Sequence, residues 1–185
     1  ARGRGVDVRA KKPGGPRRNT FHAKAPVEPD GWKIDVTVHV GSATNLPKLV
    51  NRTRGQHWAV TRKEKLEWYW RVAGAIPADR RPAEPLPYAR VVLTRISANE
   101  PDRDGLYGSF KSVLDALMPP KVTRSGKRPG IALITDDSSQ HCQFIARWRK
   151  GKQKKAAVQI QVWEVPAPTT DEPAQCLGSD LPSAA

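Results

Sequence analysis

"YARVVLTRISANEPDRDGLYGSFKSVLDAL", from Tyr88 to Leu117, changes its periodicity once along its length. Residues 88–97 are rich in Val, Leu and Ile with few polar residues between them, the composition of a strand. Beyond Pro101 the apolar residues recur at helical spacing. Leu106, Phe110, Val113, Leu114 and Leu117 form one stripe, which predicts a helix over about 105–118. Asp102 or Asp104 can cap that helix. A strand that feeds an amphipathic helix is a building unit of α/β sheets. The two aspartates also admit a second reading, because acids at a strand-to-helix junction project from a rigid scaffold and can hold a metal ion.

Outward from this unit, "GWKIDVTVHVG" (31–41) alternates apolar and polar residues and predicts a strand. "LPKLVNRTRGQHWAV" (46–60) reads as a basic loop. "TRKEKLEWYWRVAGAI" (61–76) predicts a helix with Thr61 as N-cap and Glu64 completing a capping box. Leu66, Tyr69, Trp70 and Ala73 are its expected buried face. On the other side, "MPPKVTRSGKRPG" (118–130) reads as a basic loop, and "IALIT" (131–135) as a short buried strand that delivers Asp136 and Asp137 at its end. "HCQFIARWRKGKQKKAAVQIQVWEV" (141–165) predicts a hairpin turning around Gly151. The order β, α, β, α, β, β implies a single α/β domain over 26–166, a mixed sheet with two main helices. A basic arm (1–25), whose "KKPGGPRR" has nothing to bury, precedes it, and a Pro/Ala/Ser-rich acidic tail (167–185) follows; both are expected to be unstructured.

Across 185 residues the formal charge is +14, so a compact chain repels itself unless an anionic partner offsets the charge. Nucleic acid is the expected partner, through its phosphates. A membrane surface is disfavoured, because there is no long apolar run and no strongly apolar amphipathic helix. The two cysteines, Cys142 and Cys176, lie far apart and form neither a disulfide framework nor a zinc-site spacing, which fits a reducing cytoplasm. No signal peptide is expected, since the first residues are Arg/Gly-rich.

Clustered carboxylates repel one another unless a cation intervenes. The pairs Asp102/Asp104 and Asp136/Asp137 both stand at expected element ends in a basic protein. Oxygen ligands of this kind suit Mg²⁺ with open water positions, and hence metal-assisted phosphodiester hydrolysis. Taken singly, each pair is more often a cap or turn signal than a metal site; it is the two together, in a basic surround, that raise the metal reading.

"PDRDGLYGSFKSVLDALMPPKV" followed by "IALITDDSSQHCQF" resembles the signature of RusA-type Holliday junction resolvases: a D-x-D-N, a helix with a lysine ending in D-A-L, then a strand ending in D-D. The likeness extends loosely over about 32–165 and excludes both ends. It implies a RusA-like fold and a homodimeric, Mg²⁺-dependent endonuclease, with Mn²⁺ as a possible substitute. Such an enzyme nicks four-way junctions or other branched DNA in recombination, repair or phage DNA processing, in the cytoplasm of a bacterium or phage-infected host. By position it makes Asp102, Asp104, Lys111 and Asp137 catalytic, and Asp102, Asp104, Asp136 and Asp137 the metal ligands. It implies no small-molecule cofactor. Two departures stand out. Gly105 occupies the place where the family usually has Asn, and the Asp104–Lys111 interval is longer by almost one helical turn than the family's usual one.

For DNA contact, the expected residues are Arg52 and Arg54 in the first basic loop, and Arg147, Arg149, Lys150, Lys152, Lys154 and Lys155 around the hairpin turn. The turn cluster can equally serve to keep a sheet edge soluble. His57, Lys121, Arg124, Lys127 and Arg128 are further phosphate candidates, and His141 a candidate base. Trp68, Trp70, Trp148 and Trp163 are expected in a core or dimer interface, whereas Trp58 is free to stack on an unpaired base. Two other readings stay open: a non-catalytic nucleic-acid-binding protein that retains the RusA-like fold, and an RNA-binding protein, which rests on charge alone.

Overall fold

Alternating valines make Lys33–Gly41 (β1) a strand with one buried face: Ile34 and Val38 point inward, while Lys33, Asp35, Thr37 and His39 are exposed. The computed structural model describes residues 33–49, 57–123, 126–152 and 154–168. The expected basic arm, Trp32, Arg52, Arg54, Arg124, Cys176 and nearly all of the expected acidic tail lie outside the described residues.

The remaining elements are α1 (Trp58–Ala75), β2 (Ala89–Ser97), α2 (Arg103–Ser109), α3 (Lys111–Leu117), β3 (Lys121–Thr123), β4 (Gly126–Arg128), β5 (Cys142–Lys150) and β6 (Ala156–Glu164). They form a single mixed α/β domain. Its main sheet has four strands in the order β1-β6-β2-β5, in which β2 and β5 run parallel and the other neighbours antiparallel. α1 and the α2–α3 pair cover one face. Trp68, Val72 and Ile76 there meet Phe110, Val113 and Leu117 and the sheet residues Val91, Leu93, Ile160 and Val162 in one core. β3 and β4 form a small separate hairpin inside the segment expected to be a loop. No helix among the described residues is long and apolar enough to cross a membrane.

Several expectations are corrected. The predicted 141–165 hairpin is not one: β2 lies between β5 and β6. The basic turn therefore bridges the end of β2, with the Gly151 amide donating to the Ser97 carbonyl at 3.0 Å. A Cβ at Gly151 would stand 2.6 Å from Ile96 Cγ2, so this crossing needs glycine.

Residues 131–135 are not a strand. Their amides bond to the end of α3 instead: Ile131 to the Ala116 carbonyl at 2.9 Å and Leu133 to the Leu117 carbonyl at 2.7 Å. These bonds satisfy the otherwise orphaned helix carbonyls, and a lone bridge between Leu86 and Ile134 is all that remains of strand pairing. The apolar character of the run was a burial signal, since Leu133 and Ile134 are both 0% exposed.

α1 begins ahead of Thr61. The His57 imidazole caps it, accepting from the Ala59 amide at 3.3 Å. Glu64 instead accepts from the Lys48 amide at 3.0 Å and ties down the segment after β1. The buried face is Trp68 and Val72, whereas Leu66 and Trp70 are 45% and 64% exposed. Apolar residues occur all round this helix, so periodicity alone could not choose the face. At its C-terminus the Arg81 guanidinium donates to the Ile76 carbonyl at 2.7 and 2.9 Å, closing the helix before Pro77 prevents continuation.

Candidate functional site

The expected helix over 105–118 is two helices, and the break decides where Lys111 goes. In an unbroken helix the Phe110 amide would donate to the Leu106 carbonyl. Here the Ser109 hydroxyl takes that carbonyl at 2.7 Å, and the Phe110 amide turns back to the Tyr107 carbonyl at 3.3 Å. Local hydroxyl-to-carbonyl bonding of this kind bends helices. Phe110, with φ −81° and ψ −1°, is 0% exposed and packs edge-on against Phe144, which pins the break to the core.

α3 then restarts with Lys111, whose ammonium forms an ion pair with Asp137 and stands 3.5 Å from Asp115 Oδ1. The longer Asp104–Lys111 interval is thus absorbed before Lys111, and the lysine meets the second acid of the D-D pair. Burial pulls the Lys111 pKa down. The hydrogen bond to Asp137 and the charges of Asp115 and Asp137 together outweigh burial and leave it above its ordinary value.

Asp115 is the anchor that sequence reasoning did not single out. Its side chain is 3% exposed, and three cations converge on it. The Arg128 guanidinium donates to Oδ1 at 3.1 Å, and Lys65 stands 2.8 Å from Oδ2, in ionic contact without the alignment of a hydrogen bond. The available signal was an acid set among Leu114, Ala116 and Leu117 on a buried stripe, one turn after Lys111. Such an acid needs cationic partners. Lys65, Lys111 and Arg128 bring three positive charges against the two carboxylates Asp115 and Asp137, so the cluster keeps a positive excess toward solvent.

Asp136 is exposed, and its carboxyl is held below the ordinary value chiefly by the Ser138 amide, which donates to Oδ1 at 3.1 Å. Behind the pair, the Cys142 thiol is pushed up to about 11, first by burial and then by the charges of Asp137 and Asp136. His141 Nδ1 donates to the Pro87 carbonyl at 3.0 Å, which gives this histidine a part in fixing the entry to β2.

Asp102 caps α2, accepting from the Gly105 amide at 3.0 Å. Asp104 is exposed in the first turn, where its charge suits the helix N-terminus. A Cβ at Gly105 would lie 2.6 Å from Asp102 Oδ1, so glycine is what lets the carboxylate fold back onto the helix. An asparagine here, as in the resembled family, would push that carboxylate outward.

The four aspartates are not brought together. Among the described residues no group of three or more His, Cys, Asp or Glu could hold a metal ion. Topology explains this. Asp102 follows the C-terminal end of β2, whereas Asp137 precedes β5, whose first residue, Cys142, pairs with Ala89 at the start of β2. The chain returns along α2, and the residue that arrives beside Asp137 is Lys111. As placed, the donor set does not fit one Mg²⁺ shared by all four acids.

Of the expected DNA contacts, Arg149, Lys150, Lys152, Lys154 and Lys155 are exposed at the β5 end of the domain, and Arg147 is half-buried on the same strand face as Arg149. Compared with protein-family models, with curated proteins and with solved structures, the chain matches none.

Proposed function

We propose that the chain acts on branched DNA as an endonuclease of the RusA type. The observation that carries this reading is the meeting of Lys111 with Asp137, from two segments 26 residues apart. The resemblance makes both residues part of one catalytic cluster; it also expects Asp102 and Asp104 to converge with them, and these do not form one metal-holding group with Asp137. Lys111 is held by Asp137 and Asp115 yet remains 55% exposed, so its ammonium can neutralise a phosphate oxygen beside an acid. The exposed lysines and arginines at the end of β5 supply backbone contacts. Cutting opposed strands symmetrically requires two sites, so the reading includes a homodimer.

That Asp102, Asp104 and Asp137 form no metal-holding group among the described residues favours a second reading, a non-catalytic DNA-binding protein of the same fold. The two part in one experiment. A labelled synthetic four-way junction is incubated with the protein, with and without Mg²⁺ or Mn²⁺. The nuclease reading expects paired nicks that require the metal and disappear in Lys111→Ala, Asp104→Asn and Asp137→Asn while junction binding persists. Binding without nicks under either metal supports the second reading, and nicks that survive Asp137→Asn refute the residue assignment.

A further inference from the structure

One face of α1 and the β3–β4 hairpin border an open groove of about 510 Å³ whose lining includes Trp58, Arg62, Lys65, Leu66, Lys127 and Arg128. Trp58, Arg62 and Leu66 recur at four-residue steps, so they stand in one row along the helix. Trp58 is 62% and Leu66 45% exposed, a cost in water that nothing in the core requires. The lining contains four cations and no carboxylate. Lys65 and Arg128 are fixed from beneath by Asp115, whereas neither Arg62 nor Lys127 has an acidic partner among the described residues. The groove therefore combines an exposed tryptophan, which has the His57 ring 5.4 Å away, with further apolar lining and four cations.

We propose that this groove binds an unpaired nucleotide of a DNA single strand, its base stacked on Trp58 and its phosphates held by Arg62 and Lys127. Stacking on an aromatic face with cations along the backbone is how single strands are held without sequence preference. An acidic peptide would satisfy the cations but offers no planar face for Trp58. A duplex would satisfy them too, but it keeps its bases stacked internally. Asp115 joins the groove to Lys111, because Lys65 and Arg128 on the groove wall and Lys111 at the candidate site all contact the same carboxylate. A strand leaving the groove is thereby led toward Lys111 and Asp137. This last step rests on the nuclease reading; the binding itself does not.

The test uses the full chain with a fluorescently labelled thymidine oligonucleotide of about 20 nucleotides. The same sequence as duplex DNA and as RNA, and a polyglutamate competitor, serve as the other arms. Trp58→Ala should weaken single-strand binding about tenfold or more, Trp58→Phe should retain most of it, and duplex affinity should change less than about twofold. Arg62→Gln and Lys127→Gln should each flatten the salt dependence of single-strand binding by about 0.7 in the log–log slope. Unchanged affinity in Trp58→Ala, an equal loss for duplex, or displacement by polyglutamate at lower concentration than by oligonucleotide would overturn the proposal. A clear preference for the RNA strand would overturn the assignment to DNA. Unaltered melting of Trp58→Ala confirms that the fold is intact, and the two Gln variants keep the test decisive if it is not. Junction nicking is scored separately: its absence alongside Trp58-dependent binding refutes the nuclease reading and leaves this one standing.

Discussion

At the scale of single residues, Asp115 concentrates the energetic risk. Replacing it with Asn leaves Lys65, Lys111 and Arg128 facing one another without their buried counter-charge. Breaking a buried ion pair on one side costs about 3–5 kcal/mol, so urea denaturation of Asp115→Asn should show a loss of that order. Lys111→Ala removes a half-exposed partner and should cost about 1 kcal/mol or less. A stability loss in Lys111→Ala as large as in Asp115→Asn would contradict this ranking. Cys142 contributes to the alkaline limit. Its thiol pKa is about 11 in the folded chain against an ordinary value of 9.0, so the folded state keeps a proton that the unfolded state releases first. Stability should fall between about pH 9 and about pH 11, by on the order of 2–3 kcal/mol in all, and should not depend on this group below that window. The raised Lys111 pKa acts in the same direction, since its contribution is complete below 10.5 and is lost as pH rises through the folded value. Denaturation midpoints of Cys142→Ala measured from pH 8 to 11 should decline less steeply than those of the parent chain.

At the scale of elements, the strands and the amphipathic stripe of α2 and α3 were legible because a sheet face and a helix face impose simple periods on apolar residues. Ile34 and Val38 on β1, and Leu106, Phe110, Val113, Leu114 and Leu117, are all buried as the patterns imply. What was not legible depends on partners distant in sequence. The 131–135 run looked like a strand, but its amides were claimed by the carbonyls ending α3. The β5–β6 connection looked like a hairpin because no local rule shows that β2 lies between them. The same holds for the candidate site: both the contact of Lys111 with Asp137 and the buried charge cluster around Asp115 depend on packing, of α3 against the segment before β5 and of α1 on α3. Two substitutions test the elements. Gly151→Ala should destabilise the fold, because the new methyl meets Ile96 at the crossing. Asp102→Ala should cost about 1 kcal/mol through loss of the α2 cap. Both are read by thermal melting, and an Asp102→Ala variant of unchanged stability would argue that the carboxylate's role is not capping.

At the scale of the whole molecule, a formal charge of +14 and an acid-free run of exposed cations at the end of β5 make salt the governing variable for partners. If those cations neutralise DNA phosphates, a chain with Lys152, Lys154 and Lys155 changed to Gln should bind duplex arms more weakly. Every phosphate left without its lysine should reduce the slope of log affinity against log salt by about 0.9. An unchanged slope would reduce the cluster to a solubilising edge. The break at Phe110 has a consequence for how such a chain can vary in length. Because Phe110 is anchored in the core and α3 restarts after it, residues inserted into or deleted from α2 alter where Asp102 and Asp104 stand without shifting Lys111 or Asp115. The joint separates two acids whose position is adjustable from a lysine whose position is not. Shortening α2 by one turn would therefore bring the first acidic pair toward Lys111 and Asp137 and leave the charge cluster beneath them intact.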